Sequence, residues 1–280
     1  MLTRTLSVGL AVGLSLLATA NAALDGCAKT LALKVTNIYE NGDPNFHYDY
    51  CENLHDGRGF TAGIAGFCSG TGDAWEVVQA YHKLTGGDEF SKYDSVLKKY
   101  AENGSDSTSG LDGYCALWGK LGNGDTRFKK AQENVRDALY VTPAQQYSAK
   151  LGLRLTISQA QLYDAGIQHG TGNDPDGLGS LIKRTSAKFT SDKPGGSGSV
   201  LNINNNKVDE IVWLNEFLKV RTDDLLHPRE RENQGGNYWA QTVYRVRSYQ
   251  WAIQQKEYNW SNSVRVLDND GKPTTVYCDK

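Results

Sequence analysis

Long apolar runs, zinc-binding motifs and an excess of either charge are all missing from this 280-residue sequence. The mean hydropathy of −0.53 is too polar for a multi-span membrane protein. The cysteines and histidines form no CxxC or HExxH motif, which argues against a zinc site. The 30 basic and 32 acidic residues give a net charge of −2, so no basic field favours nucleic acid or a lipid surface. The sequence therefore predicts a soluble globular protein that binds neither nucleic acid nor membranes.

The first residues predict a secretory signal peptide. Arg4 precedes an apolar run from Leu6 to Leu17, and residues 20–22, Ala-Asn-Ala, have the small residues of a cleavage site. The alternative is a membrane anchor, but this run is shorter than the ~20 residues that a membrane span needs. We therefore expect a secreted, extracellular protein with a signal peptide at 1–22 and one domain at 23–280, large enough for two lobes.

Secretion makes disulfides plausible, and the sequence has 5 cysteines. An odd number leaves at least one unpaired, and Cys68 is the candidate because it lies in an apolar, glycine-rich run. The other four would form two bridges, in one of three connectivities that the sequence leaves open. They are Cys27, Cys51, Cys115 and Cys278.

Apolar residues at helical spacing predict three helices, at 73–84, 128–139 and 208–218. Asp73 and Glu76 resemble a capping box at the start of the first. Leucines alternate from 151 to 157 as in a strand, but the composition of 145–167 favours a long helix. Residues 188–206 are rich in Ser, Gly and Asn, which predicts an exposed loop or, as the alternative, a linker between domains.

The segment from 40 to 73 contains six acidic residues and a single arginine, Arg58. One interpretation is a solvated acidic loop with glycine turns. However, the acids have aromatic neighbours, and aromatic rings with carboxylates are typical of a groove that stacks sugar rings and attracts cationic groups. These aromatic residues are Tyr39, Phe46, Tyr48, Tyr50 and Phe60.

The same segment resembles glycoside hydrolase family 46, the chitosanases. The resemblance is carried by residues 56–63, DGRGFTAG, and 66–73, GFCSGTGD. Shorter matches lie at 38–41 (IYEN), 163–165 (YDA) and 172–175 (GNDP). The resemblance implies a mainly helical, α+β, lysozyme-like fold of two lobes that are discontinuous in sequence. A cleft would lie between the lobes, with a small β element carrying Asp56 and the 145–167 helix as the long bridge.

The resemblance makes Glu40 the catalytic acid, Asp56 the base and Thr61 the residue that positions the attacking water. An inverting glycosidase needs a protonated acid at the leaving oxygen and an ionised base that holds water, with the two carboxyl groups ~6.5–9.5 Å apart. Glu40 ends an apolar helical run, so we expect it to be partly desolvated. Arg58, two residues after Asp56, would keep that base ionised. Thr61 could instead be an ordinary β-branched strand residue.

By the same resemblance, Asp164, Arg221 and Arg245 form a buried charge network behind the acid, although an ordinary ion pair between lobes is the alternative. Asp73 could also cap a helix, and His169 could be merely structural. The residues expected to line sugar subsites are Tyr50, Glu52, Arg58, Asp73, Tyr140 and His169.

The predicted function is that of an endo-acting, inverting chitosanase acting on partly deacetylated chitosan, as a monomer and without a metal or other cofactor. The local excess of negative charge suits this cationic polymer. Two alternatives remain: a lysozyme-like hydrolase of chitin or peptidoglycan, and a chitosan-binding protein without catalysis.

Overall fold

The computed structural model describes residues 24–236 and 238–278, so the predicted signal peptide lies outside the described residues. The described chain is mainly helical, which confirms the expected fold class and all three predicted helices. Its helices are α1 (Gly26–Asn41), α2 (Asp73–Thr85), α3 (Asp94–Asn103), α4 (Tyr114–Gly124), α5 (Thr126–Arg136), α6 (Thr142–Leu151), α7 (Thr156–His169), α8 (Leu178–Ser186), α9 (Glu210–Leu226), α10 (Tyr238–Gln241) and α11 (Val243–Gln254). None of the helices in these ranges is long and apolar enough to cross a membrane.

Short antiparallel strands form three small sheets. One sheet has the order β1-β2-β3, and the others are the hairpins β4-β5 and β6-β7. The strands are β1 (Cys51–Asn53), β2 (Phe60–Ala62), β3 (Phe67–Cys68), β4 (Val200–Ile203), β5 (Asn206–Asp209), β6 (Ser263–Leu267) and β7 (Pro273–Tyr277). The first sheet is the small β element expected from the sequence, and Asp56 lies in its β1–β2 loop.

The minor lobe has its own hydrophobic core, formed by residues between 62 and 135. Its centre is aromatic: the ring of Trp118 meets that of Phe128 edge-on at 4.8 Å, and Phe90 lies 5.4 Å from Phe128. The Cys51–Cys115 disulfide joins β1 to α4 at the side of this core. Edge-on aromatic packing of this kind supplies both apolar burial and a defined geometry.

The major lobe combines the two ends of the chain. Its core contains buried residues of α1 together with residues from 141 to 276. The Cys27–Cys278 disulfide connects the first turn of α1 to the end of the described chain. Cys68 is buried and unpaired, so the assignment of the free cysteine is confirmed, and the structure selects one of the three connectivities.

The bridge between the lobes lies earlier in the chain than expected. α5, a π-helical turn at Asp137–Val141 and α6 follow one another without a break, and they run from the minor core at Phe128 to the major core at Ala144. The predicted single helix at 145–167 is wrong, because α6 ends at Leu151 and is followed by a C-cap glycine, Gly152, with φ +79°. The buried Glu210 carboxylate then accepts the backbone N–H groups of Arg154 and Leu155, which satisfies the interrupted backbone.

The predicted exposed loop at 188–206 is also partly wrong. Its second half forms strand β4, and Leu201 and Ile203 point into the major core. Asn204 and Asn205 both have positive φ, as the two-residue turn of a tight hairpin requires. The polar composition of the whole segment therefore concealed a short strand in which every second residue is buried.

Candidate active site

A cleft of about 630 Å³ lies between the two lobes. The major lobe contributes Glu40 from the last turn of α1, and the minor lobe contributes Thr61 and Asp73. The bridge contributes Tyr140. The structure thus brings residues predicted from four separate parts of the sequence to one cavity.

Glu40 lies at the end of α1, where its carboxylate accepts a hydrogen bond from Arg245 Nη1. The face of α1 before it is buried, but the Glu40 side chain itself remains 40% exposed to the cleft. It is therefore less desolvated than the apolar run before it suggested. Its conformation is set by the arginine rather than by enclosure.

Behind Glu40, the structure brings together the three residues expected to form a charge network. Arg245 Nη2 lies 2.8 Å from Asp164 Oδ1, and Arg221 Nη1 lies 2.7 Å from Asp164 Oδ2. The Asp164 side chain is fully buried. Burial alone would raise the pKa of Asp164, but Arg245 and Arg221 outweigh it, and the pKa is lowered. The network therefore holds an ionised carboxylate between two guanidinium groups.

Asp56 lies in the loop between β1 and β2, and Arg58 holds it with both its backbone and its side chain. Arg58 Nη2 and Nε donate to Asp56 Oδ2 at 2.6 and 3.0 Å, and the Arg58 N–H donates to Oδ1 at 3.2 Å. These hydrogen bonds lower the pKa of Asp56. Arg58 in turn lines the cleft. The predicted pairing of these two side chains is present, although the segment is a loop rather than a strand.

The register of the small sheet places Glu52, Thr61 and Cys68 opposite one another on β1, β2 and β3. Directly paired residues present their side chains on the same face of a sheet. Thr61 and Cys68 line the cleft. Glu52 is exposed and accepts a hydrogen bond from the Tyr50 hydroxyl at 3.3 Å.

Asp73 lines the cleft and is the first residue of α2. The predicted capping box is wrong, because the N-cap is Gly72 with φ +97° and its cap carries no side-chain hydrogen bond. Asp73 Oδ1 instead accepts the Cys68 N–H at 2.8 Å and the Thr71 hydroxyl at 2.6 Å. One carboxylate oxygen of Asp73 thus holds the end of β3 against the start of α2.

Tyr140 lies in the π-helical turn of the bridge. Asp137 in the same turn accepts Lys29 Nζ at 2.5 Å and Arg136 Nη2 at 2.9 Å, which ties the turn to α1. Turns of this type inside helices are frequent at functional sites. Burial raises the pKa of Tyr140, so the hydroxyl that lines the cleft keeps its proton.

His169 does not line the cleft, which corrects the expectation that it contacts sugar. Its side chain is fully buried, with Nδ1 lying 3.1 Å from the Asp176 carbonyl oxygen. Arg221 Nε donates to His169 Nε2 at 3.3 Å. Burial lowers the pKa of His169 well below its ordinary value. A neutral, enclosed imidazole cannot stack on a substrate or bind it, so His169 has a structural role, which was the alternative.

Other residues of the cleft were not singled out from the sequence. Thr36 and Asn37 line it from α1, four and three residues before Glu40, and Tyr163 precedes Asp164. The helical spacing of the first two was a usable signal, since residues three and four apart share a helix face. The Thr36 hydroxyl also donates to Asp164 Oδ1 at 3.1 Å, which joins α1 to the charge network.

The arrangement offers two carboxyl groups in different environments. Glu40 faces the cleft beside a buried guanidinium, whereas Asp56 is held ionised on the opposite lobe by an exposed one. Such a pair can donate a proton on one side of a bond and accept one on the other. Within residues 24–236 and 238–278, no group of three or more His, Cys, Asp or Glu side chains is placed to hold a metal ion.

Both the sequence and the fold of this chain are similar to those of known proteins. The family model described as Glycosyl hydrolase family 46 matches residues 34–259. A chitosanase of Bacillus subtilis (strain 168) is 39% identical over 249 residues, which cover 89% of this chain and 85% of that protein. A mutant chitosanase from Bacillus subtilis MY002, complexed with 6 GlcN, is 36% identical with a TM-score of 0.75, covering 91% of this chain and 100% of that one. A Gynuella sunshinyii chitosanase in complex with chitotetraose is 33% identical, with a TM-score of 0.73 and coverage of 90% and 98%.

Proposed function

The chain belongs to glycosyl hydrolase family 46, and on that premise we propose that it is a secreted, endo-acting chitosanase. Its reaction is hydrolysis of β-1,4 bonds in partly deacetylated chitosan with inversion. The observation that carries this proposal is a cleft lined by Glu40 on one lobe and by Arg58 on the other, where the Arg58 guanidinium holds the carboxylate of Asp56 and Arg245 holds that of Glu40.

In the proposed mechanism, Glu40 gives its proton to the leaving glycosidic oxygen. Asp56, kept ionised by Arg58, takes a proton from water as that water attacks the anomeric carbon from the opposite face. Thr61 on β2 holds the same water. Attack on the face opposite the leaving group inverts the configuration of the anomeric carbon.

The charge of the cleft supports a cationic substrate. Asp73 lines it, and the one arginine among the described residues that line it, Arg58, is paired with the Asp56 carboxylate, so carboxylates remain in excess even with Glu40 protonated. A cleft with an excess of carboxylates attracts a polycation and concentrates it. Relatives of this chain were solved with 6 GlcN and with chitotetraose, which supports oligomers of the same chemistry as ligands here.

We further propose that residues 1–22 are a secretory signal peptide and that residues 23–280 form one catalytic domain, active as a monomer. The two disulfides support an extracellular location, because such bridges persist in oxidising compartments. The subsite residues of this proposal are Tyr50, Glu52, Arg58, Asp73 and Tyr140.

The test measures release of reducing ends from chitosan, chitin and peptidoglycan by the wild type, Glu40→Gln and Asp56→Asn. We expect wild-type cleavage of chitosan above all and loss of at least 100-fold in each variant, about the contribution of general acid–base catalysis. Glu216→Gln, which removes one partner of the Glu216–Lys219 ion pair on α9, away from the cleft, is the matched control and should keep full activity.

Each alternative function has its own signature in the same assay. Preferential cleavage of chitin or peptidoglycan would support a lysozyme-like hydrolase, and binding of chitosan without cleavage would support a non-catalytic protein. Full activity of Asp56→Asn would show that Asp56 is not the catalytic base. Proton NMR of the first products distinguishes inversion from retention.

A further inference from the structure

The unpaired cysteine of this chain lies directly beside Thr61. The two residues are partners across β2 and β3, and Cys68 Sγ is 3.5 Å from Thr61 Oγ1. The thiol also lies 3.2 Å from the Gly66 carbonyl oxygen, to which it donates. Both side chains are almost completely enclosed, yet both contribute to the wall of the cleft.

The direction of the Thr61–Cys68 hydrogen bond follows from counting protons. A thiol has one proton, and the Gly66 carbonyl can only accept, so the S–H group must point to Gly66. The sulfur then has only lone pairs to offer Thr61, and the Thr61 hydroxyl proton must point to the sulfur. Burial raises the pKa of Cys68, so the thiol keeps the proton on which this order depends.

The consequence for Thr61 is that its lone pairs, and not its proton, are left for the cleft. A threonine hydroxyl rotates freely unless a partner fixes it. Gly66, whose carbonyl accepts the thiol, leaves space beside the Thr61 methyl, since a methyl group added at Gly66 would lie 3.5 Å from Thr61 Cγ2. The contact with Cys68 Sγ is therefore what orients the Thr61 hydroxyl.

We propose that Cys68 is a positioning residue that makes Thr61 a hydrogen-bond acceptor for the attacking water. This rests on the proposed function, in which Asp56 and Thr61 hold that water. One water proton then points to the Asp56 carboxylate and the other to Thr61 Oγ1, which leaves an oxygen lone pair for the anomeric carbon.

The proton count of the reaction is unchanged by this arrangement. As the water oxygen bonds to the anomeric carbon, the bond to the leaving oxygen breaks and that oxygen receives the Glu40 proton. The water proton that faces Asp56 passes to its carboxylate. Cys68 and Thr61 neither gain nor lose a proton, so their contribution is to orient the water.

Kinetics of variants test this role. Cys68→Ala frees the Thr61 hydroxyl to present its proton to the water, and we expect kcat to fall about 3- to 10-fold, the range of one modest hydrogen bond, with KM unchanged. Cys68→Ser retains one donor and an acceptor and should recover part of the loss. Val77→Ala, a buried truncation in α2 that does not touch the cleft, is the control and should lower Tm but not kcat.

A double-mutant cycle separates positioning from a general packing effect. In a Thr61→Val background there is no hydroxyl to orient, so Cys68→Ala should cause no further loss of kcat. An equal loss of kcat in both backgrounds would overturn the proposal, as would full kcat in Cys68→Ala. If the wild type does not hydrolyse chitosan at all, the proposed function fails in its own assay and this role falls with it.

A spectroscopic measurement tests the hydrogen bonds without any substrate. Cys68 is the free thiol among the five cysteines, so its S–H stretching band in Raman spectra can be assigned directly. Thr61→Val removes the donor to sulfur. Because neighbouring hydrogen bonds strengthen one another, the S–H···O hydrogen bond to Gly66 should weaken, and the S–H stretching band should move to higher frequency. A band that stays in place would show that Thr61 does not donate to the sulfur and would overturn the proposal.

Discussion

Arg245 holds the carboxylate of Glu40, although 205 residues separate the two along the chain. The same guanidinium binds Asp164, so the carboxyl that faces the cleft is attached to a buried anion by one rigid group. Asp164 is attached in turn to Arg221 and to Thr36 of α1. The position of the proposed acid therefore depends on residues that never meet the substrate.

Asp164→Asn tests this dependence. The change leaves Arg221 and Arg245 buried beside a neutral amide, and loss of one partner of a buried ion pair costs about 3–5 kcal/mol of unfolding free energy. We also expect kcat to fall about 100-fold, because displacement of a catalytic group by about 1 Å has effects of that size. Urea unfolding and reducing-end assays give the two numbers. The Glu216–Lys219 pair, whose lysine is exposed and whose glutamate is partly exposed, provides the comparison, since Glu216→Gln should change stability by less than about 1 kcal/mol. Similar values for the two variants would contradict the structural role of Asp164.

Arg58→Ala should move the acidic limb of the kcat/KM–pH profile to higher pH. The side-chain hydrogen bonds and charge of Arg58 lower the pKa of Asp56, so their removal lets the carboxyl take up its proton at higher pH, although the backbone N–H of residue 58 still donates to it. Arg58→Lys keeps a positive charge and should produce a smaller displacement. The measured quantity is the pH at which the acidic limb lies. The maximal kcat/KM is not used, because Arg58 also lines the cleft and its removal lowers that maximum for other reasons. An unmoved limb would show that Asp56 is not the titrating base.

Asp224 should make the protein less stable as pH rises. Burial raises the pKa of this carboxyl to about 6, against the opposing charges of Arg184 and Arg229. A raised folded-state pKa gives stabilisation that is complete below the ordinary carboxyl value and is lost as pH rises through about 6. Asp224→Asn cannot ionise, so its Tm should change less than that of the wild type across this range. His169 and Asp176 also lie near Asp224. If the Tm of the wild type and that of Asp224→Asn changed with pH in parallel, the pH dependence of stability would come from these two residues and not from Asp224.

Two glycines of α4 provide a matched pair. A methyl group on Gly122 would lie 2.3 Å from the Tyr48 carbonyl oxygen, which already accepts hydrogen bonds from Trp118 and Gln132. Gly122→Ala should therefore cost about 1–3 kcal/mol and raise KM by shifting the chain that leads to Tyr50. Gly124→Ala meets nothing within 4 Å and should be neutral or stabilise by up to about 1 kcal/mol. Thermal unfolding gives the Tm of both variants. Equal Tm values would show that the backbone at Tyr48 can move away from a methyl group on residue 122 at no cost in stability.

The parts of the site that could be predicted from the sequence are those set by local spacing. Asp56 and Arg58 are two residues apart, and the charge of their segment was visible without any structure. The contact between Glu40 and Arg245 was not, because a separation of 205 residues leaves no local pattern. The family resemblance predicted that Glu40 and Arg245 lie near the site, but their direct contact is seen only in the structure.

Predictions of secondary structure failed where tertiary contacts override local preference. The 145–167 segment has helical composition, but Glu210 stabilises an extended break at 154 and 155. Asp73 has the position of a helix cap, yet it bonds back to β3 because Gly72 turns the chain away. His169 has the residue type of a sugar ligand, and its enclosure by Asp176 and Arg221 depends on packing that no short motif encodes.

The construction of the major lobe from both ends of the chain also bears on when activity can begin. Glu40 emerges early in synthesis, whereas Arg245, which holds it, and Cys278, which closes the lobe through Cys27, come last. The minor lobe can bury its core as soon as residue 135 is available. The charge network behind the proposed acid cannot assemble until the chain has been made as far as residue 245, so a nascent chain, or one truncated before that residue, carries the cleft-facing carboxyl without the arginine that orients it.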